Sequence, residues 1–150
     1  MKKILASLVA TLVVATATTL SADVDLEGVK CVVAPRDAQE SKSAEYKEGK
    51  VYFCCGNCAG KFAKAPEKYT EKANHQLVAT KQYKQTACPI SGRDVDETKS
   101  VTLAGTKVTF CCGNCEGKVA SAEDDAAKMK LVFNDKAFEK GFAKVEKEEE

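Results

Sequence analysis

The residues of this chain whose types and spacing could do chemistry are its eight cysteines. Cys31, Cys54, Cys55 and Cys58 recur as Cys88, Cys111, Cys112 and Cys115, each displaced by 57 residues. Both sets read Cys-x22-Cys-Cys-x2-Cys, a dense group preceded by one distant thiol. Two thiols on a knuckle between strand and helix, joined by one from a remote loop, make a small metal site. A knuckle at a helix start also favours thiolate, because the helix N-terminus presents unpaired N–H groups and a partial positive charge. Thiolates select soft ions such as Cu(I) and Zn(II). Two other chemistries use the same atoms. Four cysteines can close two disulfides, although a bond between adjacent Cys54 and Cys55 would be strained. Cys55-Gly56-Asn57-Cys58 and Cys112-Gly113-Asn114-Cys115 are also C-x-x-C sets, the spacing of thiol–disulfide exchange, here without the βαβ pattern of a thioredoxin-like fold.

The elements that must position these thiols repeat with them. Segments 31–64 and 88–121 share 17 identities over 34 ungapped positions, too many for chance, so the chain reads as a tandem duplication. The identities include Arg36/Arg93, Asp37/Asp94, Lys50/Lys107, Val51/Val108 and Phe53/Phe110. Ala44, Tyr46, Val51 and Phe53 alternate with polar residues around Lys47-Glu48-Gly49-Lys50, which predicts a β-hairpin. Val101, Leu103, Val108 and Phe110 predict a second one, turning at Ala104-Gly105-Thr106. Asn57 and Asn114 are expected N-caps for helices starting at Cys58 and Cys115. Pro66 should break the first helix, with Glu67–Asn74 restarting it. No proline interrupts the second, which is expected to run to about Met129. A last helix should follow Asn134, with Phe138, Phe142 and Val145 on its core face. His75, the one histidine, lies in a polar stretch and is expected at the surface. Asp37 and Asp94 read as turn residues, and Lys50 and Lys107 as solvated turn lysines.

The cysteine spacing and its surroundings resemble the TRASH/YHS family of small metal-binding domains. Cys31-x22-Cys54-x3-Cys58 and Cys88-x22-Cys111-x3-Cys115 match its spacing, Cys88-Pro89-Ile90-Ser91-Gly92 its opening, and Gly49-Lys50-Val51-Tyr52-Phe53-Cys54-Cys55 its strand. Phe62, Pro66, Lys68 and Tyr69 are similar to its ending. The resemblance covers about residues 29–75 and 86–120. It implies heavy-metal sensing, trafficking or resistance, often of copper, with Cys31, Cys54, Cys58, Cys88, Cys111 and Cys115 as ligands. Related four-cysteine zinc folds carry a second Cys three residues after the first, where this chain has Ala34 and Ser91. A fourth thiolate would therefore have to be Cys55 or Cys112, as an auxiliary or exchange ligand, unless these two are partners in disulfides. The Tyr-His-Ser triplet that names one branch is absent, and Val119 replaces the Phe of the ending in the second repeat.

Residues 1–22 read as a secretory signal peptide: Lys2-Lys3, an apolar run from Ile4, then small residues to Ala22. Cleavage there places the protein in the periplasm or outside the cell, where disulfides persist, and leaves no stable membrane span. It also changes the formal charge from +1 to −1, which argues against nucleic acid as a partner. No Ser-His-Asp set, phosphate loop or acid pair is present, so an enzyme is not expected. The expected fold class is α+β: two small tandem Cys-rich units, 23–85 and 86–146, each a β-hairpin with a cysteine knuckle and a helical tail, then a charged tail at 147–150. The expected function is binding of copper, zinc or another heavy-metal ion, with a metal transporter or an exported metalloprotein as partner. A disulfide-stapled interaction module and a thiol–disulfide redox protein remain the alternatives.

Overall fold

The alternation in each repeat produces the expected hairpin. In the computed structural model, which describes residues 24–146, β1 (Gln39–Tyr46) pairs antiparallel with β2 (Gly49–Phe53), and β4 (Asp96–Leu103) pairs with β5 (Thr106–Phe110). The registers correspond at the same offset: Ala44 faces Val51 and Val101 faces Val108, with an irregularity after Gln39 and after Asp96. Val51, Phe53, Val108 and Phe110 are fully buried. The turns differ. Ala104 and Gly105 both have positive φ (45° and 86°), while in the first hairpin Lys47 does (52°). The expected signal peptide and the tail at 147–150 lie outside the described residues.

Each second strand runs into the cysteine knuckle and then a helix, α1 (Gly56–Lys64) or α3 (Gly113–Ala120). The expected caps are corrected: Cys55 and Cys112 hold the N-cap positions, in extended conformation, and Asn57 and Asn114 lie inside the first turn. The first helix breaks as expected. Pro66 opens a short 3-10 turn (Pro66–Tyr69) that leads into α2 (Thr70–Ala79). The second helix does not run on to Met129. It stops at Ala120, and Asp124 caps a new helix, α4 (Asp125–Phe133), by accepting from the Ala127 N–H at 2.7 Å. A good cap within a polar stretch ends one helix and begins another without a proline. Asn134 caps α5 (Asp135–Gly141) as expected, accepting from the Ala137 N–H at 3.0 Å. That helix stops at Gly141, so Phe142 and Val145 do not continue its face; Phe142 opens strand β6 (Phe142–Lys144).

The two repeats share one core. β6 pairs antiparallel with β3 (Tyr83–Gln85), the strand that leaves the first repeat. Phe133 stacks on Phe142 and meets His75 edge-on, with ring centroids 5.5 and 5.1 Å apart. Asn74 Nδ2 donates to the Phe133 carbonyl at 2.8 Å, and Lys47 pairs with Asp135 at 2.9 Å. Gly141 sits against the second cysteine loop: a Cβ there would lie 2.8 Å from Pro89 Cα. Backbone cannot yield as a flexible side chain can, so Gly141→Ala is expected to cost about 1–3 kcal/mol in urea unfolding and to displace Pro89, beside Cys88.

Glutamine side chains occupy the hairpin edges. Gln76 accepts from the Tyr52 N–H at 2.6 Å and donates to the Tyr52 carbonyl at 3.0 Å. Gln82 does the same to Lys50, at 2.7 and 2.7 Å, and Gln85 to Thr109, at 2.9 and 2.6 Å. Each amide stands in for the next strand and blunts an edge that could otherwise pair with another chain.

His75 is a correction of the surface reading. It is half-buried between the repeats, with Nε2 2.9 Å from Thr106 Oγ1 and 3.2 Å from the Leu103 carbonyl oxygen. Burial holds its pKa below the ordinary value of 6.5, against the pull of the Leu103 carbonyl. The unfolded chain therefore takes up a proton that the folded chain refuses. Stability from this group is complete above about pH 6.5 and is lost as pH falls through the lower folded value. The melting temperature should decline below pH 6.5, with a shallower decline in His75→Gln.

Candidate metal centre

The loop after Val29 brings the distant thiol of the first repeat to its knuckle. Lys30 bridges to Asp37, and the Cys31 N–H donates to the Arg36 carbonyl at 2.7 Å. Asp37 also forms an ion pair with Lys30, and it sits at this β-bridge, not in the turn expected for it. In the second repeat the Cys88 N–H donates to the Arg93 carbonyl at 2.8 Å, and Gly92 adopts positive φ (76°) to close the loop.

These loops complete two thiol triads. The sulfurs of Cys31, Cys54 and Cys58 all lie within 4.8 Å of one another, as do those of Cys88, Cys111 and Cys115. Cys54 and Cys58 are 3.6 Å apart, and so are Cys111 and Cys115. All eight cysteines are free. A metal–sulfur bond of about 2.3 Å places ligand sulfurs roughly 3.8–4.0 Å apart in tetrahedral or trigonal geometry. The triads are therefore at the right scale to close on one ion each. Cys31 and Cys88 are buried (4% and 0% exposed), so each triad has its back to the core and its open side at Cys54 or Cys111.

Cys55 and Cys112 stand outside the triads. Their sulfurs lie 3.9 Å from Cys54 and 3.6 Å from Cys111, on the half-buried rim at the helix start. The Cys115 N–H, then the Cys111 thiol, draw the Cys112 pKa down to about 7. The Cys58 N–H lowers Cys55 in the same way. The inner thiols move in the other direction. Bonding to Cys55, with burial, pushes Cys58 up to about 12; burial, with bonding to Cys111, does the same to Cys115. Reduced, metal-free protein at pH 7 should therefore be alkylated by iodoacetamide at Cys112 well before Cys58 or Cys115, as peptide mapping over time would show.

The second triad has two neighbours that sequence reasoning missed. Ser91 Oγ lies 3.1 Å from Cys111 Sγ. Arg93 Nη2 donates to the sulfurs of Cys111 at 3.3 Å and Cys112 at 3.7 Å. Arg93 was visible as an identity between the repeats, but nothing in the spacing aimed its side chain at sulfur. Burial opposes ionisation of Cys88, and the Ser91 hydroxyl and loop N–H groups outweigh it. Cys111 is lowered by Ser91 first, whereas burial raises Cys54, its counterpart.

The arrangement is thus a cysteine-rich α+β chain with two clusters able to hold a metal ion. Comparison with known protein families, curated proteins and solved structures gives no match for this chain. Among the described residues no helix is long and apolar enough to cross a membrane.

Proposed function

We propose that the protein binds and hands on soft metal ions, one in each thiol triad, and that copper as Cu(I) is the ion that suits them best. The observation that carries this reading is the convergence of three free sulfurs within 4.8 Å, twice, from residues separated by the same spacing. Three thiolates with no fourth ligand in the set match a three-coordinate soft ion better than the closed four-ligand shell of structural zinc. Cys55 and Cys112 then serve as exchange ligands: a rim thiolate adds to the bound ion as an inner one leaves. The resemblance to TRASH/YHS domains supports metal trafficking or resistance over catalysis. The Lys2-Lys3 start and its apolar run support work outside the cytoplasm, delivering metal to a transporter or another exported metalloprotein.

Native mass spectrometry of the full chain, reduced and then offered Cu(I) or Zn(II) without oxygen, tests the reading. Two ions per chain are expected. A chain that carries disulfides as purified, and takes up no metal after reduction, would be a stapled module instead.

A further inference from the structure

The two triads share a spacing but not their surroundings. Around the first, the Arg36 backbone repeats that of Arg93, yet Ala34 replaces Ser91, and among the described residues no Arg36 side-chain bond reaches a sulfur. Around the second, one hydroxyl and one guanidinium face Cys111, and the same guanidinium reaches Cys112. Ser91 Oγ also accepts from the Arg93 N–H at 3.3 Å, so the two groups belong to one loop structure.

Charge decides what this difference does. A triad that binds a monovalent ion loses three protons and goes from neutral to −2 overall. With a divalent ion the centre ends at −1. A fixed cation beside it stabilises both products, and the monovalent one about twice as much, since Coulomb energy scales with the product of charges. Charge-assisted bonds to sulfur add direction to this preference. Resting on the metal-binding reading above, we infer that Ser91 and Arg93 make the second triad the higher-affinity centre and set its preference for a monovalent ion, so that Cu(I) loads there first and the first triad is the labile centre.

The test uses the full chain with one centre disabled, Cys58→Ser leaving the second triad and Cys115→Ser leaving the first. Competition against a chromogenic Cu(I) chelator is expected to give the second triad about tenfold tighter binding, and Zn(II) competition only about threefold, as exposure of Arg93 to water limits the effect. Arg93→Gln in the Cys58→Ser chain should erase the Cu(I) advantage while changing Zn(II) less, and Arg93→Lys should restore part of it. Arg36→Gln in the Cys115→Ser chain should change nothing. A merely structural Arg93 would weaken both metals equally. Should a disabled chain not fold, the intact chain gives the same answer: two-step Cu(I) titration, collapsing to one step in Arg93→Gln. Equal Cu(I) affinities, or an unchanged Cu(I)-to-Zn(II) ratio in Arg93→Gln, would overturn the inference and leave metal binding standing. Failure of every chain to take up metal would overturn both.

Discussion

Cys88→Ser is expected to remove one of two bound ions and leave the other in place. Cys88 is the one ligand of its triad that comes from outside the knuckle, and it is fully buried behind Cys111 and Cys115. Without it, the second centre keeps Cys111 and Cys115, with the rim thiol of Cys112 beside them, all on one short segment and with no thiol on the core side. Loss of a direct ligand should weaken Cu(I) binding by more than about a hundredfold, the upper end of what removing an outer partner does to a metal site. Cys31→Ser should do the same to the first centre, while Cys55→Ser and Cys112→Ser should keep both ions and slow their transfer to a chelator. Bound metal is also linked to folding. An ion at about a thousand times its dissociation constant adds roughly 4 kcal/mol to the folded state, so chelation should lower the melting temperature of the parent chain more than that of either single-ligand variant. Retention of two tightly held ions in Cys88→Ser would contradict the assignment.

Phe133→Ala is expected to be the most destabilising single change outside the thiols, by about 3–5 kcal/mol. Phe133 is fully buried, stacks on Phe142 from the last strand, and meets His75 from the first repeat. Its backbone also receives the side chain of Asn74, itself fully buried. Truncation opens a cavity where three segments join, and the surrounding rings cannot all collapse into it. Urea unfolding should show a lower midpoint with an unchanged slope, the mark of lost stability within the same cooperative unit. A loss below about 1 kcal/mol would mean that the repeats do not depend on this joint.

Much of this is legible in the amino-acid sequence. Period-two alternation at Ala44–Phe53 and Val101–Phe110 located both hairpins, because one buried face leaves that mark. Pro66 and Asn134 located a helix break and a helix start through chemistry local to the backbone. The spacing placed four thiols in each repeat, and the TRASH/YHS resemblance implied which three would meet. What stayed hidden depends on partners distant in the chain. Gln76, Gln82 and Gln85 look like ordinary polar residues until a strand edge is set beside them. β3 and β6 are three residues each, too short to show a period. His75 sits among polar neighbours in sequence and against Phe133 in space. The caps lie two residues before Asn57 and Asn114, because the cysteines Cys55 and Cys112 themselves take the extended N-cap conformation.

The joining of β3 to β6 has a consequence for how the two halves diverge. In a symmetric homodimer the same residue must serve on both sides of the interface, so any change is made twice. Here the partner is tethered, its effective concentration is fixed by the linker, and dilution cannot separate the pair. Each half is then free to change alone. Gln85 leaves the first half and completes the hairpin of the second; His75 serves the joint from one side only; Ser91 has Ala34 as its counterpart. A duplicated chain can thus keep one folding unit while its two thiol sites specialise, something that two identical subunits could not do.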